Sequence, residues 1–204
     1  MSVPPPARVL TMDSIQRVLE SREPVRCEVP GLRAAAVLVP LFAHPVDGTT
    51  HLWLMQRTDD GGAHGGQVAL PGGKPIPQDE GMLGTALREA WEELGIPPGE
   101  VRLLGRLDDY PTITGFRIRP FVGWIPSAFH PTPNPREVER HFHAPLAMFL
   151  KPGTRDWVRW AEFRRLVRCY VVDGAVVWGA TAAILSKFGE LLLRADAEQQ
   201  TVNS

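Results

Sequence analysis

Cysteine is scarce in this chain: Cys27 and Cys169 are the only two, and they lie far apart. Such a pair makes no disulfide framework and points to free thiols in a reducing compartment. Long apolar runs are missing as well. No stretch approaches the roughly 20 residues that a bilayer-spanning helix needs. Met1 to Leu10 carries the run Pro4-Pro5-Pro6 and no apolar centre, so it is not a signal peptide. Charge of one sign is not in excess either, with 22 basic against 23 acidic residues and a net charge of −1. That balance argues against nucleic-acid coating and against a membrane-surface role. Internal repeats are absent, which excludes a solenoid. A cytoplasmic location and a small-molecule partner are expected, and a homodimer is compatible with the sequence.

What is present is enough apolar material for a real core, 44% of 204 residues. Met12 to Ser21 predicts a short helix with Ile15, Val18 and Leu19 inward, capped near Thr11 or Asp13. The apolar run Ala34 to Phe42 predicts a buried strand, and His51 to Arg57 a second. Asp59 to Gly66 is too glycine-rich for regular structure, and Gln67 to Leu70 resumes as a short strand. Strands are expected at Val101–Asp108 and Phe116–Ile125, around a turn at Tyr110 to Gly115. A proline-rich loop with Pro126, Pro131, Pro133 and Pro135 follows, then short helices at Arg136–Arg140 and Pro145–Leu150. Trp157–Phe163, Arg168–Val172 and Val176–Trp178 predict further strands, and Ala180–Arg194 the last helix. Strands and helices interleaved in this way predict an α/β class, a mixed β-sheet sandwiched between helices (α/β/α).

The most informative stretch is Arg88-Glu89-Ala90-Trp91-Glu92-Glu93-Leu94-Gly95-Ile96. On a helix over about Met82 to Leu94, Glu89, Glu92 and Glu93 stand at i, i+3 and i+4 and share one face. Like charges this close repel, and a divalent cation with a taste for hard oxygen ligands, Mg²⁺ or Mn²⁺, turns that liability into a site. Gly72 and Gly73, in Leu70-Pro71-Gly72-Gly73-Lys74, predict a turn where backbone can approach the same ion and a phosphate. The competing view is a solvated acidic face on an amphipathic helix whose other side holds Leu83, Leu87, Ala90, Trp91 and Leu94. It accounts for the helix but not for the Pro-Gly-Gly turn before it; the Gly95-Ile96-Pro97-Pro98 stop after it ends the helix under either view.

The segment Gly73 to Ile96 resembles the Nudix box: a glycine, an acidic residue, then R-E-U-x-E-E-x-G-U with U aliphatic. Arg88, Glu89, Glu92, Glu93, Gly95 and Ile96 match, with Ala90 at the first U. The first half is one residue long, because six residues rather than five separate Gly73 from Glu80. Either Asp79 or Glu80 fills the early acidic position, and Glu80 is preferred for its normal spacing to Arg88. The resemblance implies a Nudix fold and metal-dependent hydrolysis of a nucleoside diphosphate-linked substrate. It implies that Glu89, Glu92 and Glu93 hold Mg²⁺ or Mn²⁺, with the Gly73 carbonyl adding to the shell. Arg88, rotated about 100° from Glu89 along the helix, is cast as an orienting partner for Glu80 or Glu92. The general base is Glu89 or a glutamate from a later loop, with Glu137 first and Glu139 behind it.

Similarity to one Nudix group, the coenzyme A pyrophosphatases, runs from about Ala34 to Leu193. It is carried by Leu54-Met55-Gln56-Arg57-Thr58 with His64-Gly65-Gly66-Gln67-Val68-Ala69-Leu70, and by Leu107-Asp108-Asp109-Tyr110-Pro111-Thr112 with Gly115-Phe116 and Pro120. Asn134-Pro135-Arg136-Glu137-Val138 and Val177-Trp178-Gly179-Ala180-Thr181-Ala182 complete it. Two positions depart: Gly62 stands where the group has arginine, and Leu70 where it has phenylalanine. The expected reaction is coenzyme A to 3′,5′-ADP and 4′-phosphopantetheine. ADP-ribose, NADH or another nucleotide-sugar diphosphate is the alternative, and a silent nucleotide-sensing domain a third. Arg57, His64, Gly72 and Gly73 are the candidate substrate contacts. Arg117 and Arg119 are read as the solvent face of a strand, and Trp178 as core. Domain bounds on this basis are 1–30 for an N-terminal extension, 31–195 for the Nudix domain and 196–204 for a tail.

Overall fold

The computed structural model describes residues 10–59, 61, 65–160 and 163–202. Its elements in order are α1 (Met12–Glu20), β1 (Arg33–Ala43), β2 (Thr50–Arg57), β3 (Val68–Ala69), β4 (Gly72–Gly73), α2 (Gly81–Leu94), β5 (Arg102–Arg106), β6 (Tyr110–Pro111), β7 (Phe116–Trp124), β8 (Val138–Pro145), β9 (Thr154–Trp160), β10 (Phe163–Val172), β11 (Ala175–Val177) and α3 (Gly179–Val202). Short 3-10 turns lie at Pro98–Glu100 and Leu146–Leu150.

The main sheet is mixed. Its central pair, β1 and β7, is parallel from Arg33↔Phe116 to Leu41↔Trp124, and the other pairings are antiparallel. β2 lies between β1 and both β3 and β8, while β4 pairs with β1. A separate sheet holds β9, β10 and β11.

Strand alternation explains the layers. In β1, Val39 and Leu41 enter a core shared with Ile15, Val18 and Leu19 of α1 and Ile184, Leu185 and Phe188 of α3. Ala36, Leu38 and Phe42, one residue out of phase, enter the opposite core with Ala86, Ala90 and Leu94 of α2. The result is the expected α/β/α arrangement. Leu94 is fully buried, a contribution of about 1.5–3 kcal/mol for a side chain of its size.

Four expectations are corrected. Arg136–Arg140 is no helix: the chain enters β8 at Val138, and Val138, Phe142 and Ala144 are buried in a two-residue rhythm. Trp91 does not belong to the apolar face of α2 but is 54% exposed, because the buried stripe runs through Ala86, Ala90, Glu93 and Leu94. The last helix continues to Val202 instead of ending at Arg194. Tyr110–Pro111, read as turn, pairs with β7.

Candidate active site

The site begins at a backbone crossing. Gly72 and Gly73 pair with Val37 and Ala36 of β1. A side chain on Gly72 would strike the Ala36 carbonyl and the Val37 Cα, and one on Gly73 would strike the Glu89 carboxylate. Only glycine lets this turn lie between β1 and α2. The turn in turn fixes Glu93, which is 1% exposed and accepts the Gly72 N–H at 2.8 Å. Its other oxygen meets Arg57 Nη2 at 3.0 Å, and the same guanidinium donates to the Gly72 carbonyl at 3.1 Å. Burial pushes the Glu93 carboxyl up to about 7, against the pull of Arg57 and the Gly72 N–H. Burial raises Glu89 as well, and Glu92 and Glu137 add like charge.

Arg88 lies among the carboxylates rather than away from them. It bonds Glu89 at 3.0 Å and Glu92 at 2.8 Å. It also grips Asp79 through Nε at 2.8 Å and Nη2 at 3.2 Å, and donates to the Lys74 carbonyl at 3.0 Å. Asp79 further accepts from Ile76 N–H and Thr85 Oγ1, at 2.9 and 2.8 Å. The Arg88 bonds hold its carboxyl well below the usual carboxylate range. This corrects the preference for Glu80 over Asp79 as the early acidic residue, while of the two partners expected for Arg88 the structure shows Glu92 bonded. Glu80 is the N-cap residue of α2 and makes no side-chain cap bond. With Asp79 in the early acidic role, five residues separate it from Gly73 and the extra residue falls after it, at the Glu80–Gly81 entry to α2, where Gly81 has φ 68°.

Glu137 reaches the site through strand pairing. Arg57 stands opposite Val138, and Thr58 N–H donates to the Glu137 carbonyl at 3.0 Å. The Glu137 side chain, exposed and held by Asn134 at 3.0 Å, is close enough to raise both Glu89 and Glu93. The proline-rich loop before it is tied to the end of α2 by Thr132 N–H on Leu94 and Asn134 N–H on Glu93, both at 3.0 Å. Gly95 ends that helix in the left-handed region, φ 71°.

The fit to a divalent cation rests on the donors. Two carboxylates, the half-buried Glu89 and the buried Glu93, are raised in proton affinity chiefly by burial, and the Gly73 backbone lies against Glu89. Glu92 is exposed and turned to Arg88. Among the described residues, no three carboxylates bring one oxygen each within 4.8 Å of the others. An ion here would therefore draw part of its shell from substrate phosphate oxygens.

A cleft of about 810 Å³ opens beside this turn, between β1, β7 and the first half of α3. Arg57, Gly72, Gly73 and Lys74 line it, as do Trp178, Tyr110 and Phe116. Lys187 and Arg168 add cations that sequence reasoning missed, since nothing near them marks a site. Trp178, read as core, is half-buried and lines the cleft. Arg119 grips the buried Asp109 at 2.9 and 3.0 Å, and Arg117 donates to the Cys27 carbonyl, so neither is a plain solvent-face residue. His64 and Gly62 lie outside the described residues.

A mixed sheet between helices, with a glycine turn set against a glutamate-bearing helix, defines a Nudix domain. The NUDIX domain family matches residues 32–171, and the chain belongs to that family. It is 38% identical to the uncharacterized Nudix hydrolase NudL of Pectobacterium atrosepticum over 183 residues, 89% of this chain and 94% of that protein. It is equally, 38%, identical over 174 residues to Nudix hydrolase 22, chloroplastic, of Arabidopsis thaliana, covering 81% of this chain and 56% of that one. Among solved structures, the MutT protein of Methanosarcina mazei Go1 superposes with a TM-score of 0.50 at 16% identity, over 86% of this chain and 98% of that one, a likeness of fold. The protein is a Nudix pyrophosphatase, a phosphoanhydride hydrolase. Among the described residues no helix is long and apolar enough to cross a membrane.

Proposed function

We propose that the chain hydrolyses the diphosphate of coenzyme A, giving 3′,5′-ADP and 4′-phosphopantetheine. The observation that carries this reading is convergence. Stretches distant in sequence, each similar to coenzyme A pyrophosphatases, supply one cleft: Arg57 and Val68 from the first, Tyr110, Thr112 and Phe116 from the second, and Trp178 to Thr181 from the third. Its volume suits a dinucleotide-sized ligand. The arginine absent at Gly62 has substitutes in Lys187 and Arg168, which line the cleft and can meet a 3′-phosphate.

In this reading Glu89, Glu92, Glu93 and the Gly73 carbonyl hold Mg²⁺ or Mn²⁺ together with the diphosphate. When bound, such an ion would supply neutralisation of phosphate charge and a lowered pKa for the attacking water. Arg57 and Lys74, which line the cleft beside the glycine turn, position the diphosphate. Arg88 holds Glu89 and Glu92 in place, anchored by Asp79. Water adds to phosphorus, the bridging P–O bond breaks, and the water's proton passes to Glu137, the accessible carboxylate beside the pair. A cytoplasmic location fits this substrate.

Product analysis with Mg²⁺ or Mn²⁺ and coenzyme A, ADP-ribose, NADH and a nucleoside triphosphate tests the reading. Release of 3′,5′-ADP well ahead of the other products is expected. Faster AMP release from ADP-ribose or NADH would move the substrate assignment to those dinucleotides.

A further inference from the structure

At the far end of the main sheet, three histidines that the hydrolytic site does not use come together. His44 follows β1, His51 lies in β2 and His143 in β8. One ring nitrogen of each lies within 4.8 Å of the other two. Val37 of β1 pairs with Gly72, so His44, seven residues on, is about 20 Å from the glycine turn.

The hydrogen bonds around the rings determine which nitrogens are free. Asp47 accepts from Thr49 Oγ1 at 2.7 Å and Thr49 N–H at 2.9 Å, which fixes the hairpin turn. The Thr49 hydroxyl proton is thereby used, so its oxygen accepts from His51 Nε2, 3.1 Å away. That tautomer leaves the His51 Nδ1 lone pair facing His143 Nδ1 at 2.8 Å. Asp47 also lies 3.2 Å from His44 Nδ1 and accepts its proton, leaving the Nε2 lone pair of His44. A carboxylate behind His44 and a hydroxyl behind His51, each fixing tautomer and orientation, are partners of the kind that metal-binding imidazoles use. Burial, with the two neighbouring rings, lowers His51 to about 4, so the ring is an uncharged donor at neutral pH.

We propose that His44, His51 and His143 form a three-imidazole site for one Zn²⁺ ion, separate from the box carboxylates. Imidazole nitrogens suit zinc at 2.0–2.1 Å and three of them leave a fourth position for water. Tetrahedral placement needs about 3.3 Å between nitrogens, so His51 and His143 part by about half an ångström, and the stacked ring of His44 turns its edge inward. Solvent reaches the site past His44, whose side chain is 21% exposed. The ion would lock the β1–β2 hairpin to β8.

The test is equilibrium zinc binding by metal-stripped full-length protein in excess Mg²⁺, which occupies the carboxylate site, with metal content and unfolding temperature as readouts. One Zn²⁺ per chain is expected, with a rise of about 5–10 °C at a zinc concentration 100 times the dissociation constant. His143→Ala should lose the ion. Asp47→Asn, which keeps the turn's acceptor, should bind about 10–100-fold more weakly and unfold at the wild-type temperature without metal. His44→Ala, at the exposed end of the hairpin, covers the case in which His143→Ala fails to fold. No retained zinc, zinc retained equally by Asp47→Asn and His44→Ala, or zinc lost through Glu92→Gln instead would each overturn the proposal.

Discussion

Arg57 and Glu93 meet in an ion pair of 3.0 Å at the point where the glycine turn, the box helix and the cleft touch. One partner comes from β2 and the other from the last turn of α2, and the Gly72 peptide is bonded to both. Removing the arginine leaves a carboxylate that is 1% exposed with a single N–H donor. Arg57→Ala is expected to destabilise the fold by about 1–3 kcal/mol, less than a fully buried pair because the arginine itself is partly solvated. Urea unfolding measures this, and Arg57→Lys should recover only part, since a point charge cannot serve both the carboxylate and the carbonyl.

Glu93 also makes the metal-free protein sensitive to pH. Its folded value of about 7 lies above the ordinary 4.5, so the folded state holds this proton more tightly than the unfolded chain. The stability it contributes is complete below pH 4.5 and is lost as pH rises toward 7. His51, lowered by burial to about 4, acts oppositely across the same range, so wild type must be compared with Glu93→Gln. In chelator, the stability difference between the two should shift in favour of Glu93→Gln as pH rises from 5 to 7. Mn²⁺ affinity of the wild type should climb by up to tenfold per pH unit below 7 and level above it. A pH-independent difference would show that Glu93 titrates near its ordinary value.

The legible parts of the site were those whose chemistry is local. Glu89 and Glu93 at helical spacing, and the Gly72-Gly73 turn, follow from residue types a few positions apart. Glu92, one helical turn from Arg88, follows from spacing, but the choice between Asp79 and Glu80 does not, because each has one normal spacing and only the folded Ile76–Asp79 turn presents Asp79 to the guanidinium. β8 is hard to read because Arg140 breaks its apolar alternation, although Val138, Phe142 and Ala144 carry the two-residue rhythm on either side of it. The cleft lining from α3 and the three-histidine cluster depend on strand pairing between distant segments, which no local pattern reports.

Asp79 and Glu80 separate cleanly by substitution. Asp79→Asn removes the charge that anchors Arg88 at 2.8 Å, and Arg88 in turn holds Glu89 and Glu92. A fall of about 10–100-fold in kcat/KM is expected, the range for losing a partner behind a metal ligand. Glu80→Gln should stay within about twofold, since its side chain makes no cap bond. Equal losses in both variants would return the early acidic role to the helix cap.

Lys187 lines the cleft from α3, within reach of Tyr110 at 5.5 Å from the ring centre. If it meets the 3′-phosphate, Lys187→Ala lowers kcat/KM for coenzyme A about tenfold, the scale of one charge-assisted hydrogen bond. Activity on dephospho-coenzyme A, which lacks that phosphate, should not change. A parallel loss on both substrates would place Lys187 on a shared part of the ligand.

Glu137 and Glu89 compete for the role of proton acceptor, and their surroundings favour Glu137. Glu89 is partly buried and bonded to Arg88 at 3.0 Å, whereas Glu137 is exposed, with one amide from Asn134. Backbone bonds hold Glu137 in place, so Glu137→Gln should fold normally while lowering kcat by about 10²–10⁴. KM should move little, and the loss should persist at saturating Mg²⁺ or Mn²⁺, because a proton acceptor and not an ion ligand is gone. Glu139→Gln, one β8 residue further on, serves as the control and should stay within about twofold. A kcat within about twofold of wild type in Glu137→Gln, with a loss of about 10²–10⁴ in Glu89→Gln at saturating metal, would transfer the base to α2 and leave Glu137 as a contributor of negative charge only.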